Sequence, residues 1–176
     1  MIVLASTYTP IASQTLGSAA ASVTFSSIPS TYTDLVLVIA GKNTASGYGW
    51  GLQFNSDTGA DYSWTMMEGS GTAATSTRGG GTGATGQSIY FVSNQGISDS
   101  QGNAIVNIQN YANTTTYKTP VLRENNPSST TYPGLSASVG LWRNTSAINA
   151  VTLMVPAAGT TIAAGTTATL YGITAA

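Results

Sequence analysis

Cysteine and histidine are absent from this chain of 176 residues, and charged residues make up only 6% of it. Without cysteine there is no disulfide scaffold, no thiolate zinc site and no iron–sulfur centre. Without histidine the commonest general base near neutral pH is missing, and no serine or threonine has an imidazole to activate it. No S-x-x-K pattern replaces that base, and Gly79-Gly80-Gly81 lacks the lysine and the following helix of a phosphate loop. The five basic residues, Lys42, Arg78, Lys118, Arg123 and Arg143, are scattered. This argues against a nucleic-acid surface, which needs clustered cations. A net charge of −1 leaves little repulsion between copies, as suits a surface covered by other subunits. Long apolar runs are missing as well. Leu35 to Ala40 is far below the ~20 residues of a membrane-spanning helix. Met1 to Ala5 is apolar but lacks the basic flank and the length of a secretory signal.

What fills the chain is Gly, Ser, Thr, Ala and β-branched residues in short runs of period two. Trp50, Leu52 and Phe54 alternate with Gly51 and Gln53, Tyr62, Trp64 and Met66 with Ser63 and Thr65, and Ala104, Val106 and Ile108 with Asn107 and Gln109. Leu135, Ala137, Val139 and Leu141 oppose Ser136, Ser138, Gly140 and Trp142. Leu35 to Ile39 is apolar on both faces, which predicts a central strand covered on both sides. Turn signals such as Ser56-Asp57-Thr58-Gly59 and Glu124-Asn125-Asn126-Pro127 separate the runs, and no window carries a capped helical stripe. The expectation is one all-β domain over residues 1–176: a two-sheet β-sandwich, jelly-roll-like, of about ten strands. Residues 69–86 read as a Gly/Thr-rich surface loop or an arm ordered by a neighbour, and residues 1–9 as an arm or a first strand.

Few residues offer chemistry. Asp57, Asp61 and Glu68 lie close in sequence, but Asp57-Thr58-Gly59 is a common turn, and two acids supply few of the oxygens calcium takes. No catalytic residue, cofactor or metal is expected. Aromatic residues are the better candidates. Tyr48, Trp50, Tyr62 and Trp64 fall in adjacent strands, where they form a core, a subunit contact or a platform for sugar rings. Trp142 reads as exposed because its alternation partners are small and polar, and Ile2, Val3 and Leu4 read as a strand added to a neighbour's sheet edge.

The segment YTPIASQTLGSAAASVTFSSIPSTYTDLVLVIAGK, with FNSDTGADYSW, LWRNTSAINAVTLMV and AAGTTATLYGI, resembles virion structural proteins of tailed bacteriophages, especially those of aquatic and cyanobacterial phages. The resemblance implies a jelly-roll-like sandwich in a virion, often a homotrimer, made in the bacterial host cytoplasm. It supplies no catalytic residues. The expected function is capsid decoration (cement), in which the chain sits on the outer capsid surface and binds the major capsid protein. The alternative is a tail-fibre or head-appendage protein that binds host surface glycans. A carbohydrate-active enzyme would need Asp57, Asp61 or Glu68 facing one another in a cleft.

Overall fold

The computed structural model describes residues 7–45, 47–81, 86–91, 101–126 and 134–174. Twelve strands, rather than about ten, carry these residues. They are β1 (Tyr8–Thr15), β2 (Ser22–Phe25), β3 (Asp34–Gly41), β4 (Trp50–Phe54), β5 (Tyr62–Gly69), β6 (Ala74–Gly80), β7 (Ile89–Phe91), β8 (Gly102–Gln109), β9 (Val121–Asn126), β10 (Gly134–Trp142), β11 (Val151–Met154) and β12 (Thr167–Ile173). A large sheet has the order β1-β12-β3-β8-β9-β10-β5-β6, and a small one the order β2-β11-β4-β7. All pairings between these strands are antiparallel. The two layers make a jelly-roll-like β-sandwich around one shared core.

The alternation sets which residues meet. Val23 and Phe25, Val151 and Leu153, Leu52 and Phe54, and Ile89 and Phe91 line the inward face of the small sheet. Leu35, Leu37 and Ile39 on β3, Ala104, Val106 and Ile108 on β8, and Ala168 and Leu170 on β12 meet them from the large sheet. The β4–β5 connection turns at Asn55 and Ser56, both with positive φ, closed by the Asp57 amide donating to the Phe54 carbonyl at 2.9 Å. Positive φ at both central residues is type I′ turn geometry, here carrying the chain from the small sheet to the large one. Asn55 also accepts from the Asn149 and Ala150 amides and donates to the Ala147 carbonyl, pinning the loop before β11.

The edges are managed locally. β1 carries Pro10 and a bulge between Pro10 and Ala12, which an edge strand tolerates and a central one does not. Of the proposed arm, Tyr8 and Thr9 pair with Ile173 and Gly172 of the same chain, while residues 1–6, with Ile2, Val3 and Leu4, lie outside the described residues.

Residues 69–86 are not one loop: Ala74–Gly80 is the edge strand β6, hydrogen-bonded along β5, and residues 82–85 lie outside the described residues. β3 is covered on both faces only in part: its inward residues and outward Val36 are buried, whereas outward Val38 is 37% exposed. The largest departure is on β10, where Ser136, Ser138, Gly140 and Trp142 point into the core and Leu135, Ala137 and Val139 point out.

Candidate functional site

Three of the five aromatic candidates belong to the core, not to a contact surface. Trp142, Trp50 and Tyr62 have no exposed surface. The Trp142 ring stacks on Tyr62 with centroids 6.3 Å apart, and packs at a tilt on Phe54 at 5.5 Å. Its indole N–H donates to Asp57 Oδ2 at 2.7 Å, and the Trp50 indole donates to Asn43 Oδ1 at 2.8 Å. The Tyr62 hydroxyl accepts from the Phe54 amide and donates to the Asp57 carbonyl, and burial pushes its pKa up.

Trp142 is inward because Gly140, two residues before it on the same face, leaves a hollow that the other layer fills. A Cβ on Gly140 would stand 2.5 Å from Ile89 Cδ1, so the isoleucine occupies that space. Trp64 is half-buried, its ring close over Gly79 and packed on Tyr90. Tyr48 is the exposed member of the set, at 42%.

Two of the acids near β5 lie close together: a Cβ on Gly59 would stand 3.0 Å from Asp57 Oδ1 and 2.7 Å from Asp61 Oδ2. Asp57 is committed to structure: Oδ2 holds the Trp142 indole and Oδ1 accepts the Gly59 amide at 2.9 Å. The Asp61 carbonyl accepts the Arg143 amide at 2.8 Å. Glu68 points to the opposite end of the same strand face, beside Ser136. Lys118, 1% exposed, donates to the Thr116 and Thr145 carbonyls, and burial lowers its pKa. It clamps two loops together beside Trp142.

The inversion of β10 creates a surface that the sequence reading missed. On the outward face of the large sheet stand Leu135, 65% exposed, Met67, 61%, Val121, 47%, and Val139, 45%. Cross-strand register makes them neighbours: Ala137 faces Met67 on one side and Arg123 on the other, and Val139 faces Thr65 and Val121. Tyr8, packed edge-on against Tyr171, continues apolar surface at the far edge. Beside the stripe lies a groove of about 650 Å³ lined by Thr65, Arg78, Thr119, Val139 and Leu141. Four large apolar side chains on one open sheet face form the kind of patch that marks an interaction site.

A second missed residue is Glu124. It points inward from β9, 6% exposed, with Oε1 accepting the Ser138 hydroxyl at 3.2 Å. Burial raises its pKa to about 7, and nearby Glu68 adds to the rise. The folded state therefore holds this proton more tightly than the unfolded chain. Its contribution to stability is full below the unfolded value of 4.5 and is lost as pH rises towards 7. The decline from pH 5 to pH 8 is expected to be on the order of 3 kcal/mol from this residue. Urea unfolding in chelator at both pH values should show it, and Glu124→Gln should flatten it. An undiminished decline in the variant would assign the effect elsewhere.

Among the described residues no cluster of three or more acidic, histidine or cysteine side chains is placed to hold a metal, and no helix is long and apolar enough to cross a membrane. No protein-family model matches the chain, and no curated protein matches it.

Proposed function

We propose that this chain is a virion structural subunit of a tailed phage, which decorates the capsid by docking the open face of its large sheet on the major capsid protein and on sister copies. The observation that carries the reading is the outward apolar stripe of Leu135, Val139, Val121 and Met67. A monomer with so few charges has little to keep that stripe from water except a partner. Eight strands spaced about 4.8 Å, each about seven residues long, present a face of roughly 800 Å², which is what one partner contributes to a standard interface. Seating the face desolvates few ions, and repetition over a symmetric shell turns modest contacts into a slowly dissociating layer. In this role the core aromatic residues make the body stiff, and no side chain moves a proton.

The test is binding of the purified chain to phage heads that lack it. Leu135→Asp with Val139→Asp is expected to abolish binding while leaving the circular dichroism and the unfolding midpoint near wild type, since both positions are exposed. Copy number in purified virions should scale with capsomers. Binding unchanged in the double variant, or a copy number tied to the tail, would overturn the reading.

A glycan-binding appendage is the second reading. It rests on exposed Tyr48 and the groove at Arg78, since Trp50, Tyr62 and Trp142 are enclosed. Glycan-array binding lost in Tyr48→Ala or Arg78→Ala would favour it.

A further inference from the structure

We propose that Glu124, Glu68 and Ser136 form a site for a hard divalent cation of the calcium class on the inward face of the large sheet. The inference goes beyond the docking role and does not depend on it. Register supplies the geometry. Glu68 on β5 stands opposite Ser136 on β10, and Ser136 stands opposite Glu124 on β9. The three residues therefore form one row across adjacent strands, with the serine between the two acids. Strands about 4.8 Å apart put the glutamate Cα atoms about 10 Å apart, a gap that two inward-leaning side chains reduce to the span of one ion bound at about 2.4 Å. Ser138, the next inward residue on β10, holds Glu124 Oε1 and leaves Oε2 to point elsewhere.

Two oxygens of this row have no hydrogen-bond partner: Glu124 Oε2 and Ser136 Oγ. Their residues are 6% and 3% exposed, so bulk water does not serve them. Among the described residues the other buried polar side chains are matched, as the two indoles and the Lys118 ammonium show. A buried carboxylate oxygen beside an orphaned hydroxyl, with a second carboxylate in electrostatic reach, is costly as it stands. A bound cation removes the cost three ways: it neutralises the like-charge pair, and it gives each orphaned oxygen a ligand bond. Calcium suits the row better than magnesium. It accepts carboxylate, hydroxyl and water oxygens in flexible geometry, whereas magnesium demands a near-ideal octahedron.

The full chain, dialysed against chelator and held at pH 8, should be titrated with CaCl₂ by calorimetry and by thermal unfolding. One calcium per chain is expected, with a midpoint that rises and saturates. Glu124→Gln is expected to raise the midpoint in chelator, because a buried charge is gone, and to abolish the calcium response. Ser136→Ala and Glu68→Gln are expected to keep the fold and to weaken calcium binding tenfold or more. No heat and no midpoint shift with calcium, magnesium or manganese would overturn the proposal. So would stoichiometric binding that survives Glu124→Gln. A chain that responds to pH through Glu124 but ignores calcium would mean that a proton alone fills the role, and that also overturns it.

Discussion

Replacing Trp142 by alanine is expected to cost about 3–5 kcal/mol of unfolding free energy, roughly a fifth or more of what a domain of this kind has. The indole is fully enclosed between Tyr62 and Phe54, and a cavity there cannot be refilled from a short turn. Trp142→Phe separates the two contributions. It keeps most of the packed area but leaves the site without the N–H that Asp57 Oδ2 accepts. Its cost should be smaller, about 1–2 kcal/mol, because half-exposed Asp57 can turn to water. Urea midpoints at constant slope read both losses. If alanine at this position changed the midpoint little while reducing association with other subunits, Trp142 would be a contact residue after all.

Gly140→Val is expected to be the next most damaging change, at about 3 kcal/mol. The first added carbon would stand 2.5 to 2.9 Å from three carbons of Ile89, well inside contact distance. β7 is three residues long and is held at the edge of the small sheet by β4, so yielding would peel it away. The mechanism has its own signature. Combining Gly140→Val with Ile89→Ala should be less destabilising than the sum of the two, by about 1 kcal/mol or more. Simple additivity within about 0.5 kcal/mol would mean that the two side chains do not compete for one space.

The same contact explains what could be read from the amino-acid order and what could not. The alternations at Trp50, Leu52 and Phe54 and at Ala104, Val106 and Ile108 point each apolar side chain inward, as period two requires. The two-layer architecture follows from them. On β10 the rule fails because both faces carry apolar groups, and the choice lies with the opposite layer. Ile89 needs a hollow, and Gly140 supplies it, so Leu135 and Val139 on the opposite face are left outside. Strand β6 was hidden by its Gly/Thr composition, yet Thr75 and Thr77 already alternate as a strand, and the Ser70 amide closes the hairpin on the Ala73 carbonyl. Neither the outward stripe nor the Glu68–Ser136–Glu124 row is a motif. Each is an accident of register among segments far apart in sequence, so no local spacing announces it.

Strand β12 lies between β1 and β3 in the finished sheet, although it is made last of the twelve. While the ribosome works through the intervening chain, Leu35 to Ile39 waits with the edge that β12 will take unmatched. At about 10 residues per second that delay is on the order of ten seconds. Nascent chains on one polysome therefore pass through a window in which their β3 edges can zip to each other instead. Slower growth temperature or chaperone supply during expression should raise the soluble yield, and a permutant that encodes β12 beside β3 should shorten the wait.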